Sequence, residues 1–233
     1  MGSTSGLTLI PWDPLSEPHK LLLFNQRVEC TWDMEKVQDI WKNAQIRGEK
    51  CIYWIVSFAH QHTPAPSSTG FVEGAHDALI DTAVSINAAT RQPTQAEFIP
   101  IGHIALDSKN QKAKKIDLDI PAVKVFWITS FFVLPHHRGQ GIGRAAMDEI
   151  ERIAIQEPLC AKTLMLDTVE GKDQLREEFA KVTYGRVPKV SNQEWYGKMG
   201  YRCLKIVQNY YDVPDKNGKT WDTKTVFMRK DLG

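Results

Sequence analysis

The stretch from Leu134 to Glu151, LPHHRGQGIGRAAMDEIE, follows directly on the apolar run VFWITSFFV. Within it Gly139, Gly141 and Gly143 alternate with other residues between Arg138 and Arg144. Glycine permits backbone angles that other residues avoid, and it lets a ligand approach the main chain closely. The amphipathic segment that follows, as a helix, would open with amide N–H groups that have no partner and with the positive end of the helix dipole. Strand, glycine turn and helix start together make an anion cradle suited to phosphate. Arg138 and Arg144 add full charges beside it.

Three phosphate-binding patterns compete for this turn. A Walker loop needs G-x-x-x-x-G-K-[ST], and the lysine and hydroxyl are absent. GIGRAA matches the G-x-G-x-x-A of dinucleotide folds, with Asp167 on the next predicted strand. In that fold, however, the first glycine nearly abuts its strand, whereas LPHHRGQ separates Val133 from Gly141. The third pattern, R/Q-x-x-G-x-G/A, is filled completely by RGQGIG.

The surrounding elements must hold this turn in place. LTLI (7–10) reads as a first strand, and a helix begins near Ser16, an N-cap with a proline close behind. Met34, Val37, Ile40, Trp41 and Ala44 recur at helical spacing and predict a second helix that Gly48 ends. CIYWIVSFA (51–59) predicts a strand buried on both faces. A polar insert at about 60–97 follows, loop-like with a short helix near 75–86. Strands are predicted at 98–108, 122–133 and 163–168, with the helix after the glycine turn running to about Gln156. Helices at 172–182 and 192–201 precede two strands, RCLKIVQNYYDV and KTVFMRKDL, joined by a turn. The order is that of a mixed α/β sheet in one domain.

The context V-x-P-x-x-R-G-x-G-I-G closely resembles the signature of the GNAT superfamily of N-acetyltransferases. IGHIAL resembles that fold's third strand and LMLDT its fifth. WYGKMGY resembles the family's F-Y-x-K-x-G-F, with Trp195 and Tyr201 as aromatic replacements. The element order fits from about residue 7 to 230. The resemblance implies a single α/β domain over residues 1–233, apart from the insert. Its mixed, mostly antiparallel sheet of about seven strands would splay between the fourth and fifth and be flanked by helices.

It also implies acetyl-CoA as co-substrate, with no metal. The backbone amides of Gly139, Gln140, Gly141, Ile142, Gly143 and Arg144 would hold the pyrophosphate, beside Arg138. The pantetheine arm would lie along Phe131 and Val133 like an added strand, entering where this strand and TLMLDT splay apart. Main-chain N–H groups near Phe132 and Val133 would face the oxyanion. Tyr196 stands where the family places the acid that protonates the leaving thiolate, and an unperturbed phenol keeps its proton at neutral pH. The attacking amine must lose a proton to a base; Asp167, ending a strand at the mouth of the implied cleft, leads Glu29 and His103 for that role. Many relatives carry Asn seven residues before the tyrosine and Ala four before it, where this chain has Lys189 and Asn192. Asn192 is therefore the residue placed to replace the Asn contact with the cofactor arm. Trp32 is the candidate wall of the acceptor pocket. His136 and His137 are expected as exposed loop residues.

The chain has 233 residues, 42% hydrophobic and 24% charged, with a formal charge of +1. Near-zero charge argues against a nucleic-acid partner. No stretch is apolar enough to cross a bilayer, and the amino terminus reads as neither secretory signal nor myristoylation site. Cys30, Cys51, Cys160 and Cys203 stand alone, which predicts no disulfide framework and a reducing compartment, the cytoplasm. His60 and His62 have no matching second pair of ligands and read as a polar loop. The preferred reading is an acetyl-CoA-dependent transfer to a primary amine of a small molecule. A protein or peptide acceptor, lysine or N-terminal, and a non-catalytic CoA-binding module are the alternatives. A homodimer is the family's common state and is expected on that ground.

Overall fold

The computed structural model describes residues 6–57, 78–110, 113–211, 215 and 218–233. His60 and His62 lie outside the described residues. The chain forms two compact units, one of residues 1–109 and 126–160, the other of residues 110–125 and 161–233.

In the first unit, β1 (Leu7–Pro11), β2 (Lys50–Ser57), β7 (Gly102–Asp107) and β8 (Val125–Val133) pair antiparallel in the order β1-β2-β7-β8. Every residue of β2 is buried, as its unbroken apolar run predicts. Helix α1 (Glu17–Cys30) starts at the Ser16 N-cap with Pro18 in its first turn, and ends at Thr31 in the left-handed region. Trp12, Leu23, Val37, Trp41, Ile52 and Trp54 form one buried cluster beneath the helices. Helix α3 (Ile142–Ile155) buries Ile142, Ala146, Met147, Ile150 and Ala154, a stripe at helical period, and packs against β1 and β7.

The second predicted helix is not continuous. Asp33 at φ 59° starts a 3-10 turn over Met34–Lys36, a π turn covers Val37–Trp41, and α2 is only Lys42–Ile46. A π turn inserts one residue into the helical repeat, and here it carries the buried Val37 and Trp41. The insert also departs from expectation. Its described part holds no helix at 78–86 but two hairpins, β3 (Leu79–Ile80) with β6 (Glu97–Phe98) and β4 (Ser85–Ile86) with β5 (Ala89–Thr90). Asn87 and Ala88 turn at positive φ, and the buried Asp81 carboxylate gathers Arg91 and Thr94 around itself. Phe98 is thereby taken into the hairpin, so β7 begins at Gly102.

In the second unit, β9 (Thr163–Val169), β11 (Lys224–Asp231) and β10 (Arg202–Gln208) pair antiparallel with β11 central. Helices α4 (Gly171–Gln174), α5 (Glu177–Tyr184) and α6 (Asn192–Lys198) accompany them. The predicted 172–182 helix is broken between α4 and α5 by Arg176 in extended conformation. Seven main strands, all antiparallel to their partners within each unit, with flanking helices, make the mixed α/β class that the sequence predicts.

Candidate functional site

The glycine turn lies in the first unit. After β8 the chain makes a 3-10 turn over Pro135–His137, then passes Gly139 at φ 80° and Gly141 at φ 81° into α3. Gly143 sits inside the helix and is not at positive φ, so two glycines rather than three serve the bend. The first hydrogen bond of α3 runs from the Ala145 N–H to the Gly141 carbonyl at 3.0 Å. No side chain caps the helix, so the Ile142, Gly143 and Arg144 amides open its first turn as donors. A Cβ placed on Gly139 or Gly141 would meet no described atom within 4 Å apart from its own chain neighbours, so both positions border open space.

The charged and polar side chains of the turn are folded back onto the protein. Arg138 Nε donates to the Val133 carbonyl at 2.8 Å, and its guanidinium lies 5.3 Å from the Phe132 ring centre. Gln140 Nε2 donates to the His136 carbonyl at 3.1 Å, and Arg144 pairs with Asp148 across one helical turn. The Arg144 pair is exposed, and such pairs contribute only ~0.3–0.5 kcal/mol, so a phosphate can compete for the arginine. The rings of His136 and His137 stand 4.1 Å apart.

β8 is bent where the resemblance places the pantetheine arm. His103 faces Phe132 and Ala105 faces Thr129, so Ile104 alone opposes Ser130 and Phe131. This is a β-bulge, and Ser130 takes φ 49° within it. Gly102 makes room for the distorted strand: a Cβ there would come within 2.2 Å of the Phe132 carbonyl oxygen. Phe132 is buried, while Phe131 and Val133 are half-buried.

Behind this strand lies a polar cluster that sequence reading missed. Lys50 Nζ donates to both Asp107 oxygens at 3.1 Å and to Thr129 Oγ1 at 2.9 Å. Burial lowers the Lys50 pKa and raises that of Asp107, while their contact opposes both shifts. Nothing in EKCIYW marks Lys50 as interior; its opposition to Asp107 in the β2–β7 register does. His103 belongs to the same interior. Its Nδ1 pairs with Gln26 Oε1 at 2.7 Å, and burial, with help from the Arg27 and Lys50 cations, holds its pKa well below 6.5. A fully enclosed neutral histidine is a core element here, not a base for an incoming amine. Glu29 lies on the exposed side of α1. Trp32 is half-buried, and its carbonyl accepts from Arg27 Nε at 2.7 Å.

The second unit holds Tyr196 and Asp167. Helix α6 starts at an N-cap: Ser191 Oγ accepts from the Glu194 N–H at 3.1 Å. Gln174 Oε1 accepts from the Asn192 N–H at 2.6 Å, and Gln193 Oε1 from the Gly171 N–H at 2.7 Å, locking α4 to α6. The Asn192 side chain is thus on an exposed residue whose main chain is tied to α4. Lys189 is exposed in the preceding loop. Tyr196, half-buried on α6, stacks edgewise on Trp195 and Tyr201. Burial pushes its phenol above the usual 10, and the Asp167 charge acts in the same direction, so Tyr196 keeps its proton at neutral pH.

Asp167 sits on β9 opposite Phe227 of β11 and accepts a hydrogen bond from Tyr211 Oη at 2.7 Å. Tyr210 is pushed up to about 12 by burial and then by Asp167. Sequence reading did not single out this tyrosine pair. It extended the strand to residue 213, whereas β10 stops at Gln208 and Asn209 turns at φ 49°. Among the described residues no group of three or more His, Cys, Asp or Glu is placed to hold a metal ion.

The model of the acetyltransferase (GNAT) family matches residues 50–183. Among solved structures, Arabidopsis thaliana NAA60 in complex with acetyl-CoA is similar with a TM-score of 0.54 at 13% identity, over 97% of this chain and 98% of that one. Spermidine/spermine N-acetyltransferase SpeG from Vibrio cholerae is similar with a TM-score of 0.52 at 10% identity, over 97% and 92%. At these identities both likenesses concern the fold. No curated protein matches the chain.

Proposed function

The chain belongs to the acetyltransferase (GNAT) family, and from that premise we propose that it transfers acetyl from acetyl-CoA directly to the primary amine of a small molecule. The observation that carries this reading is the uncapped start of α3 behind Gly139 and Gly141, a set of donors facing open space after a bulged strand. In this reading the amides from Gly139 to Arg144 hold the diphosphate, with Arg138 and Arg144 beside them. Phe131, Phe132 and Val133 line the cofactor arm, and Asn192 contacts it. Binding needs Arg138 to release or share the Val133 carbonyl that it now occupies.

The acceptor nitrogen forms a bond to the thioester carbonyl carbon as the carbon–sulfur bond breaks. Asp167 takes the proton that the nitrogen loses, directly or through water, and Tyr196 gives a proton to the departing sulfur. The products are an N-acetyl amide and the free thiol of CoA. A formal charge of +1 supplies no strong field for docking a charged macromolecule, which favours a small acceptor. The unpaired cysteines support a reducing compartment such as the cytoplasm.

Thiol release from acetyl-CoA across a panel of amines tests the reading. Tyr196→Phe is expected to lower kcat by about 10²–10⁴, the usual share of a general acid, with CoA affinity unchanged. Parental kcat in that variant removes Tyr196 from the chemistry. CoA binding without thiol release for any amine refutes the transferase.

A further inference from the structure

We propose that Arg138 is a specificity-determining residue that makes the cofactor-arm site conditional on a phosphate: where the carrier has none, Arg138 closes the site itself. This deepens the transferase reading above and rests on it for where the arm and the diphosphate lie. All the residues concerned belong to the first unit.

The latch follows from the register of β7 and β8. Gly102 and Val133 face each other, and the next residue's amide, Leu134 N–H, donates to the Ile101 carbonyl at 3.0 Å. Backbone groups alternate in direction along an antiparallel strand, so the N–H and carbonyl of Val133 point away from β7. These are the groups with which an extended arm lying along Val133 would pair. The carbonyl is taken: Arg138 Nε donates to it at 2.8 Å. The same guanidinium lies 5.3 Å from the centre of the Phe132 ring, which is itself tilted at 32° against the His103 imidazole at 5.6 Å. Arg138 thus spans two of the three residues to which the arm is assigned.

What opens the latch is a better acceptor. Arg138 is exposed, and among the described residues no carboxylate pairs with it. The Val133 carbonyl is one neutral acceptor, whereas a phosphate offers anionic oxygens that match the guanidinium fork. Gly139 follows directly at φ 80°, bordering open space, so the cradle begins at the next residue. A phosphate on the cradle draws the guanidinium off the carbonyl and clears the arm's path. A carrier with the same arm and no phosphate must displace Arg138 unaided. Arg144 is the contrast: it is tied to Asp148 along the helix, and its release frees no part of the strand.

Competition calorimetry, with CoA titrated into protein equilibrated with excess pantetheine, reads both affinities in the parent, Arg138→Met and Arg144→Met. Pantetheine carries the arm and no phosphate. It is expected to bind Arg138→Met roughly 2- to 10-fold more tightly than the parent, the net contribution of the hydrogen bond that no longer opposes it. Arg144→Met is expected to bind it as the parent does. CoA is expected to bind both variants more weakly than the parent. Both side chains are exposed, so melting temperatures should stay at the parental value. Pantetheine held by Arg138→Met no better than by the parent, down to no measurable binding, overturns the proposal. An equal gain in Arg144→Met, or undiminished CoA affinity in Arg138→Met, overturns it too. The two readings fail separately, because these measurements need no turnover. Opposite shifts for pantetheine and CoA without thiol release for any amine refute the transferase and leave the latch. Amine-dependent thiol release with pantetheine indifferent to Arg138→Met does the reverse.

Discussion

Replacing Gly141 by valine separates backbone strain from ligand recognition. Gly141 is the N-cap of α3 at φ 81° and ψ −7°. An L-residue in that region costs about 1–2 kcal/mol, and a β-branched one more. No protein atom lies within 4 Å of the position its Cβ would take, so strain is the whole cost in the free protein. For a protein of this size that lowers the melting temperature by about 2–8 °C. If the diphosphate sits on the Ile142–Arg144 amides as proposed, the added valine side chain competes with it for the space beside them. Loss of one charge-assisted contact to a phosphate oxygen costs about 1.5–3 kcal/mol, or roughly 10- to 150-fold in Kd. Gly185→Val is the matched control. Gly185 ends α5 at φ 74°, also with no protein atom within 4 Å, and lies in the other unit. Thermal melting and calorimetric CoA titration of both variants should show similar losses in melting temperature and a loss of affinity only in Gly141→Val. Equal CoA affinity in both variants and the parent refutes the cradle.

Two further outcomes follow from the packing. Gly102→Ala would press a methyl group to 2.2 Å from the Phe132 carbonyl oxygen, with backbone atoms of Val133 also close. The strands must part, costing about 1–3 kcal/mol; a parental denaturation midpoint would show that β7 and β8 are not this tightly apposed. His19 Nδ1 accepts from the Asp13 N–H at 3.0 Å and Trp54 Nε1 at 3.1 Å, while Nε2 donates to the Ile80 carbonyl at 3.0 Å. Its pKa is lowered from 6.5, chiefly by burial, as is that of His103. The unfolded chain therefore binds more protons, so this stability is complete above about pH 6.5 and is lost as pH falls from there toward the folded pKa values. Melting temperature should drop from pH 7 to pH 5 more steeply in the parent than in His19→Gln, and identical slopes would reject the assignment.

The parts of this protein that were legible in the sequence are those whose physics is local. A glycine at positive φ and an uncapped helix start are written in a run of six residues, and RGQGIG carries them. The continuous apolar run of β2 and the helical stripe of α3 are likewise periodicities that a strand or helix imposes on its own residues. What escaped depends on register. Lys50 becomes interior because β2 and β7 place it opposite Asp107, fifty-seven positions away, and nothing near either residue announces the pairing. The hairpins of the insert depend on one buried carboxylate, Asp81, reaching Arg91 and Thr94; alone, DALIDTAVSI reads as helix as readily as strand. Asn209 shows the same limit at the candidate site. Its left-handed turn ends β10 five residues early, and only that turn takes Tyr210 and Tyr211 out of the strand and brings Tyr211 onto Asp167. Chemistry that hangs on a backbone turn can be read from residue types. Chemistry that hangs on which side chain meets a carboxylate across a sheet needs the strand ends, and here these are set by single residues in conformations that sequence pattern does not report.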